Sequence, residues 1–142
     1  MKVLNKEDIK EIIPHREPFL FIDQINEVIP GQYVSATKKV NGDEYYFKGH
    51  FPGNPVMPGV VLIETMAQAG AVSLLLMEEY KGKLVLFAGI EKARFKRIVK
   101  PGDILEIKLN ITSMRRNVGK AEAMAAVEGE MACSAELLFF IT

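Results

Sequence analysis

Cysteine and histidine are scarce in this chain of 142 residues, which has one cysteine and two histidines. A single cysteine, Cys133, cannot form a disulfide within the chain, and so few ligands do not make the usual closed zinc site. We therefore expect no bound metal, and we interpret Cys133 as a small buried apolar residue on a strand.

An excess of charge of either sign is also missing, because 18 basic residues balance 18 acidic ones. A dedicated nucleic-acid-binding domain normally has a basic excess, so the balance argues against nucleic acid as the partner. Residues 1–8 become charged before any apolar run can form, which is unlike a signal peptide and favours a cytoplasmic protein. No internal repeat or low-complexity tract is visible, and the length predicts one domain over residues 1–142.

The longest apolar stretch lies between Pro58 and Gly82 and predicts a helix of about two dozen residues, about 36 Å long. A helix that is apolar on all sides must be buried. A membrane span is the alternative, but polar residues interrupt the run and no second span exists, so we favour burial within the protein. The apolar residues that cover nearly every side are Val60, Leu62, Ile63, Met66, Val72, Leu74, Leu75 and Met77.

The rest of the chain has the patterns of strands, after a short helix over residues 6–13 that Asn5 caps and Pro14 ends. Residues 105–111 alternate between apolar and polar, which is typical of a half-buried antiparallel strand. The fold class is therefore α+β, with one buried central helix wrapped by a single curved antiparallel sheet of about six strands. We predict strands at 19–28, 33–40, 84–98, 105–111, 118–127 and 131–141, with turns at Pro30-Gly31, Pro101-Gly102 and Gly129.

His50 lies in residues 49–53 (GHFPG), within a loop rich in glycine, proline and aromatic residues. Most histidines in soluble domains are surface or structural residues. Here two glycines and a proline restrain the backbone, and Phe47 and Phe51 can exclude water from the ring. Because histidine titrates near neutral pH, a ring held in this way is a natural proton carrier.

Glu64 places a carboxyl group on an otherwise apolar helix, where a charge is costly unless it is paired or protonated. The alternative is an acid of the first turn that interacts with the helix dipole, but Glu64 lies past that turn. Gln68 is four residues further on the same face and can hold the carboxyl group by a hydrogen bond. Unexplained buried acids concentrate at active sites, so we favour a functional role for Glu64.

Gly59 lies at the start of the predicted helix, where backbone N–H groups lack internal partners and the dipole is positive. A glycine there lets a carbonyl oxygen approach closely, which is the arrangement of an oxyanion site. A packing role at the helix start is the alternative.

Several stretches resemble the signature of the 3-hydroxyacyl-acyl carrier protein dehydratases of type II fatty acid synthesis. The likeness runs from about residue 5 to the C-terminus. Glu17 and Gln24 depart from it, standing where an aromatic and a basic residue are common, and neither touches the chemistry. The resembling stretches are residues 50–59 (HFPGNPVMPG), which are highly specific, 64–68 (ETMAQ), 13–20 (IPHREPFL) and 92–97 (KARFKR) before 101–103 (PGD).

The resemblance implies a hot-dog fold, in which the helix lies inside the wrapped sheet. It also implies that His50 and Glu64 meet across the interface of a homodimer, often assembled as a trimer of dimers. The substrate would be a 3-hydroxyacyl chain on the phosphopantetheine arm of acyl carrier protein. With the thioester carbonyl held by the Gly59 N–H, His50 would remove the alpha proton, and a protonated Glu64 would give a proton to the departing hydroxyl. No cofactor is required.

Three alternative functions remain open at this point. One is a dehydratase that also isomerises the double bond from trans-2 to cis-3, and another is a hot-dog thioesterase, which would need an attacking water. The third is a non-catalytic acyl-binding module, although a pure binder gains nothing from burying an acid.

The second histidine and a basic cluster near residue 95 also call for an interpretation. We interpret His15 as a structural residue near the mouth of the site, bonded to backbone. Lys92, Arg94 and Lys96 alternate along a predicted strand and, with Arg97 and Lys100, form a basic cluster. A solvated sheet face and a docking surface for an acidic carrier protein are equally good explanations of such a cluster.

Overall fold

A computed structural model describes residues 3–142, so Met1 and Lys2, at the start of the charged N-terminal stretch, lie outside the described residues. Short 3₁₀ helices occupy Tyr45–Lys48 and Glu78–Tyr80. Over residues 3–142, no helix combines the length and apolarity that crossing a bilayer requires. The other elements are α1 (Lys6–Ile12), β1 (Gln24–Ile29), β2 (Tyr33–Lys39), α2 (Gly59–Leu75), β3 (Val85–Phe95), β4 (Ile104–Arg115), β5 (Val118–Val127) and β6 (Glu130–Ile141).

The six strands form one antiparallel sheet in the order β1-β2-β4-β5-β6-β3, which confirms the predicted sheet. The predicted turns lie where the strands reverse. At Pro30-Gly31, the Gln32 N–H donates to the Ile29 carbonyl, and Gly31 has the positive φ of 74° that glycine adopts without strain. Asn5 caps α1 as expected: its Oδ1 accepts from the Asp8 N–H, and Oδ2 of Asp8 accepts from the Asn5 N–H.

Helix α2 lies against one face of this sheet and forms the centre of the core. Of its 17 residues, only Gly59, Val60 and Glu64 are not fully buried. The sheet presents the inward-facing residues of β2, β4, β5 and β6 to it, and those of β5 are mostly alanines. The predicted buried helix is therefore confirmed, except at Val60, which faces away from the sheet and is 77% exposed.

The predicted length of the helix was wrong, because α2 ends at Leu75 and is about 25 Å long rather than about 36 Å. Met77 adopts an extended conformation, and the chain then turns so that Tyr80 is buried. The Tyr80 hydroxyl donates a hydrogen bond to the Arg116 carbonyl, which anchors the turn to the β4–β5 connection. The helix therefore does not continue to Gly82 as predicted, because the chain turns after Leu75 to bury Tyr80.

Strand boundaries also differ from the prediction, most of all at β1, β3 and β4, the last of which runs to Arg115 rather than to residue 111. Strand β1 begins at Gln24 rather than Phe19, because the backbone of Phe19 and Phe21 bonds to a side chain of α2 instead of a neighbouring strand. Strand β3 spans Val85–Phe95 rather than residues 84–98 and carries two irregularities in its pairing with β6.

Candidate active site

The ring of His50 is oriented by the loop in which it lies. Its Nδ1 lies 2.7 Å from the Val56 carbonyl oxygen, and a carbonyl oxygen can only accept, so Nδ1 carries the proton. In the neutral ring, Nε2 therefore has the lone pair, as a general base needs. The ring also stacks on Phe51, with centroids 4.0 Å apart, although Phe51 is 49% exposed and does not exclude water within one chain.

Gln68 connects α2 with the segment that precedes β1. Its side chain is buried, its Oε1 accepts from the Phe21 N–H at 2.8 Å, and its Nε2 donates to the Phe19 carbonyl at 2.7 Å. These two bonds determine which end of the amide is the donor. The same Nε2 lies 3.0 Å from Oε2 of Glu64, so Gln68 holds the carboxyl group in the manner predicted from their spacing.

Glu64 is partly buried at the border between the core and solvent, with a side chain that is 19% exposed. Burial raises the pKa of this carboxyl group, and the hydrogen bond from Gln68 opposes the rise. A raised pKa keeps the carboxyl group protonated over a wider pH range, which is the requirement for a general acid.

His15 does not make the backbone hydrogen bond that was expected of it. Among the described residues its buried Nδ1 has no hydrogen-bond partner, and its Nε2 lies 3.8 Å from Oε2 of Glu64. Pro14 and the helix end before it bring the ring to this position, which spacing along the chain could not reveal. The one signal in the sequence that could have pointed to His15 was its place in residues 13–20, a stretch that resembles a recurring motif of the family.

Gly59 is the first residue of α2, and Pro58 precedes it as the N-cap. The carbonyl of Pro58 accepts from the N–H groups of Val61 and Leu62, so the Gly59 N–H stands ahead of the first helical bonds. The ring of Phe95 covers the glycine, because an added Cβ would lie 2.8 Å from Cε1 of that ring. The glycine therefore allows close packing of Phe95, which is the packing role at the helix start that the sequence offered as the alternative.

His50 and Glu64 are not brought together within one chain. No hydrogen bond or ion pair in residues 3–142 joins them, and the contacts of each are with other groups. A cavity of about 30 Å³ lies beside Glu64, between α2 and the start of β3, and His15 lines it while His50 does not.

The predicted basic cluster is only partly present as a surface. Lys92 lies at an irregularity of β3 with a φ of 54°, and β3 ends at Phe95, so the simple alternation of Lys92, Arg94 and Lys96 on one strand face was wrong. Lys92 pairs with Glu136 at 3.3 Å and Arg97 pairs with Glu130 at 2.7 Å.

Arg94 and Lys96 are exposed, and neither forms an ion pair within the described residues. Lys96, Arg97 and Lys100 line a surface groove of about 440 Å³ whose other side is formed by residues 54–56. Val56, which orients His50, therefore lies at the edge of a groove with a net basic lining.

The described residues contain no group of three or more histidine, cysteine, aspartate or glutamate side chains placed to hold a metal ion. The Cys133 thiol is buried, as predicted, and burial raises its pKa to about 11.

Comparison with known proteins gives the context of this site. The chain is 55% identical over 137 residues to the 3-hydroxyacyl-[acyl-carrier-protein] dehydratase FabZ of Caldicellulosiruptor bescii, covering 96% of this chain and 98% of the relative. In structure it is similar to the dehydratase heterocomplex ApeI:P from Xenorhabdus doucetiae, with a TM-score of 0.78, 23% identity and coverage of 93% and 89% of the two chains. It is also similar to a hypothetical thioesterase from Streptococcus pneumoniae, with a TM-score of 0.60, 21% identity and coverage of 83% and 84%.

The two structural likenesses support the hot-dog fold and carry no argument about activity, because both are below 25% identity. The family model of the FabA-like domain matches residues 13–136, which include His15, His50, Gly59, Glu64 and Gln68. On that match and the identity to a relative along almost its full length, this chain belongs to the FabA-like family.

Proposed function

We propose that this chain, acting as a single domain, removes water from 3-hydroxyacyl-acyl carrier protein to give the trans-2-enoyl thioester. The observation that supports it most is that His50 has the protonation state of a base and Glu64 that of an acid. The proton on Nδ1 of His50 leaves the lone pair on Nε2, while burial of Glu64 favours a protonated carboxyl group. The relative from Caldicellulosiruptor bescii bears the name of this activity.

The reaction follows from these states. The Gly59 N–H holds the thioester carbonyl oxygen, which acidifies the proton on the alpha carbon. Nε2 of His50 takes that proton, the C–O bond to the 3-hydroxyl breaks, and the proton of Glu64 goes to the departing oxygen to form water. A proton must then return from His50 to Glu64 before the next turnover.

We further propose that the reacting pair is shared between two copies of the chain. The cavity at Glu64 lacks His50, so a second copy is needed to supply the base. The edge strand β3 is a suitable contact, since an exposed apolar edge invites pairing with another chain. Its neighbourhood exposes Leu84, Leu86, Phe87, Ile90 and Phe95, each by at least 40%. A homodimer, and a trimer of such dimers, would cover these residues.

The partner that presents the substrate is an acyl carrier protein, on this proposal. The groove beside residues 54–56 supports this part, because its lysine and arginine side chains lie next to the loop that holds His50. An acidic carrier docked there would be steered by these charges and would deliver its acyl chain near the base.

The test is a product analysis with a short 3-hydroxyacyl carrier thioester, with each product identified by mass and double-bond position. The trans-2-enoyl thioester is expected, and the His50→Ala variant serves as the matched control. A cis-3-enoyl product would indicate an isomerising dehydratase, and a free acid would indicate a thioesterase. Substrate binding without any turnover would leave an acyl-binding module and overturn the proposal.

A further inference from the structure

His15 and Glu64 face the same small cavity and approach each other closely. Nε2 of the histidine is 3.8 Å from Oε2 of the carboxyl group, about 0.8 Å beyond a good N–H···O hydrogen bond. The other residues around this cavity are Gln68 and the apolar side chains of α2, β3 and β6. Among residues 3–142, therefore, Gln68 and His15 are the polar groups that face the carboxyl group, and His15 is the titratable one.

The backbone on both sides of His15 is held in place. The guanidinium group of Arg16 donates to the carbonyls of Lys10, Ile13 and His15, which ties this segment to the end of α1. Ile13 is buried, and the Phe19 N–H donates to the Arg16 carbonyl in the turn that follows. The ring is thus presented to Glu64 by a rigid segment.

The surroundings also determine which ring nitrogen carries the proton. Nδ1 is buried and has no hydrogen-bond partner among the described residues, so a proton there would be an unsatisfied buried donor. A proton on Nε2 instead faces an oxygen of Glu64. Burial, followed by the positive charge of Arg16, lowers the pKa of His15 and keeps the ring neutral near pH 7.

We propose that His15 is a positioning residue that points its Nε2–H at Oε2 of Glu64 across 3.8 Å and closes to hydrogen-bond distance as negative charge develops on the carboxyl group. Gln68 donates to the same oxygen, so the two donors leave the transferable proton on Oε1 and stabilise the carboxylate that forms when this proton departs. The inference deepens the proposed function, because it rests on Glu64 acting as the acid. It assigns His15 no contact with the substrate.

Two substitutions separate this role from a packing role. His15→Leu removes the donor, whereas His15→Gln restores an amide N–H with a similar reach. We expect His15→Leu to lower kcat by about 10-fold or more, as for a lost hydrogen bond to a charged group, with KM changed less than about two-fold. His15→Gln should recover most of kcat. Equal losses in both variants, or a loss in KM alone, would overturn the proposal.

The pH dependence provides a second readout with a definite sign. A donor to the carboxylate lowers the pKa of Glu64, so its removal raises that pKa further. The alkaline limb of the kcat profile, where Glu64 must stay protonated, should therefore move to higher pH in His15→Leu. His50 of a second copy also faces the site on the dimer proposal, and the acidic limb, which does not depend on the protonated form of Glu64, should not move.

Nuclear magnetic resonance tests the contact without relying on activity. Carbon-13 at the glutamate side-chain carboxyl group, with Glu64→Gln to identify the signal, reports the pKa of Glu64 in each variant. Nitrogen-15 spectra of the unaltered protein report the tautomer of His15, and the chain has only two histidines, so His50→Ala identifies the signals. A Glu64 titration that His15→Leu leaves unchanged, or a proton on Nδ1 of His15, would overturn the inference. Absence of dehydration with these signals as expected would instead count against the proposed function alone.

Discussion

At the scale of single residues, the carboxyl group of Glu64 experiences opposing influences. Burial favours its neutral form, while the N–H of Gln68 favours the carboxylate. Burial is the larger effect, so the folded protein binds the proton more tightly than an unfolded chain does. The wild-type protein consequently loses stability at this site as the pH rises from the ordinary pKa of glutamate through the raised value.

We therefore expect Glu64→Gln to become stabilising relative to wild type as the pH increases. Glutamine has the same shape and does not titrate, so the difference in Tm between the two proteins should be small near pH 4 and should grow towards pH 8. The rate should nevertheless fall by about 10²–10⁴, since glutamine cannot supply the proton. Thermal melts and steady-state kinetics across this range measure both effects.

Glu136→Gln is the matched control for that experiment. The hydrogen bond from Lys92 lowers the pKa of Glu136, so its contribution to stability is present at neutral pH and is lost in acid. Its variant should be less stable than wild type at neutral pH and should approach wild type as the pH falls. Parallel trends for the two variants would contradict the assignment of a raised pKa to Glu64.

Contacts set by local spacing could be predicted from the sequence, whereas contacts with distant segments could not. Glu64 could be found because a carboxyl group conflicts with an apolar helix, and its bond with Gln68 follows from helical spacing. The second and third hydrogen bonds of Gln68, to residues 19 and 21, depend on how a distant segment crosses the helix. The contact of His15 with Glu64 has the same origin, so local patterns predicted neither.

At the scale of elements, α2 lies close to the sheet at Gly70. A Cβ at this position would be 2.9 Å from Cδ1 of Leu109 and 3.2 Å from the ring of Phe139, and both side chains are buried. Glycine is a poor helix former, but here the missing side chain allows helix and sheet to pack together.

We expect Gly70→Ala to destabilise the protein although alanine favours helices. Overpacking costs about 1–3 kcal/mol, whereas the gain in helix propensity is at most about 1 kcal/mol. A lower midpoint in urea unfolding would measure the difference. Gly49→Ala is the control, because a Cβ added there would meet no atom within 4 Å and the φ of Gly49 is −105°. Equal midpoints for wild type and Gly70→Ala would contradict the prediction, because they would show that the Leu109 side chain moves aside with no loss of stability.

The stretch from Arg94 to Lys96, at and just beyond the end of β3, is the segment proposed to meet the carrier protein. Reversal of its two uncompensated charges in Arg94→Glu/Lys96→Glu should raise KM for carrier-bound substrate several-fold and weaken its salt dependence, because rim charges act mainly on association. Kinetics with a short thioester that lacks the carrier should be unaffected. Lys81→Glu/Lys83→Glu, an equal change of exposed charge before the other end of β3, is the control and should leave KM near wild type.

Equal losses on both substrates in Arg94→Glu/Lys96→Glu would indicate a structural defect. Equal losses in the two double variants would indicate a general effect of net charge. Either result would contradict docking at this end of the strand.

Element boundaries were predicted less well than element types, for a physical reason. The alternation in β4 follows directly from one face meeting the core, and its burial pattern agrees. The end of α2 depends on the burial of Tyr80 against a loop about 36 residues away, and the basic residues of β3 depend on an irregularity in its pairing with β6. Both are tertiary effects that override local preference.

At the scale of the whole molecule, one chain presents an incomplete site. His50 and Glu64 lie at the two ends of a short connection stiffened by prolines at positions 52, 55 and 58, and the cavity at Glu64 contains no part of His50. The exposed apolar side chains around the edge strand β3 provide a surface that a second copy can cover. A two-fold dimer would complete two identical sites at once.

Mixing two inactive variants tests this arrangement. His50→Ala and Glu64→Ala should each lose about 10²–10⁴ in rate while remaining folded. In a mixed dimer with shared sites, one site lacks both groups and the other has both. Random pairing makes half of the dimers mixed, so about a quarter of the wild-type activity should return after refolding an equal mixture. If each site were built within one chain, every site would still lack one group. Activity that stays at the level of the separate variants, with subunit exchange confirmed by mass spectrometry of the intact dimers, would therefore exclude a shared site.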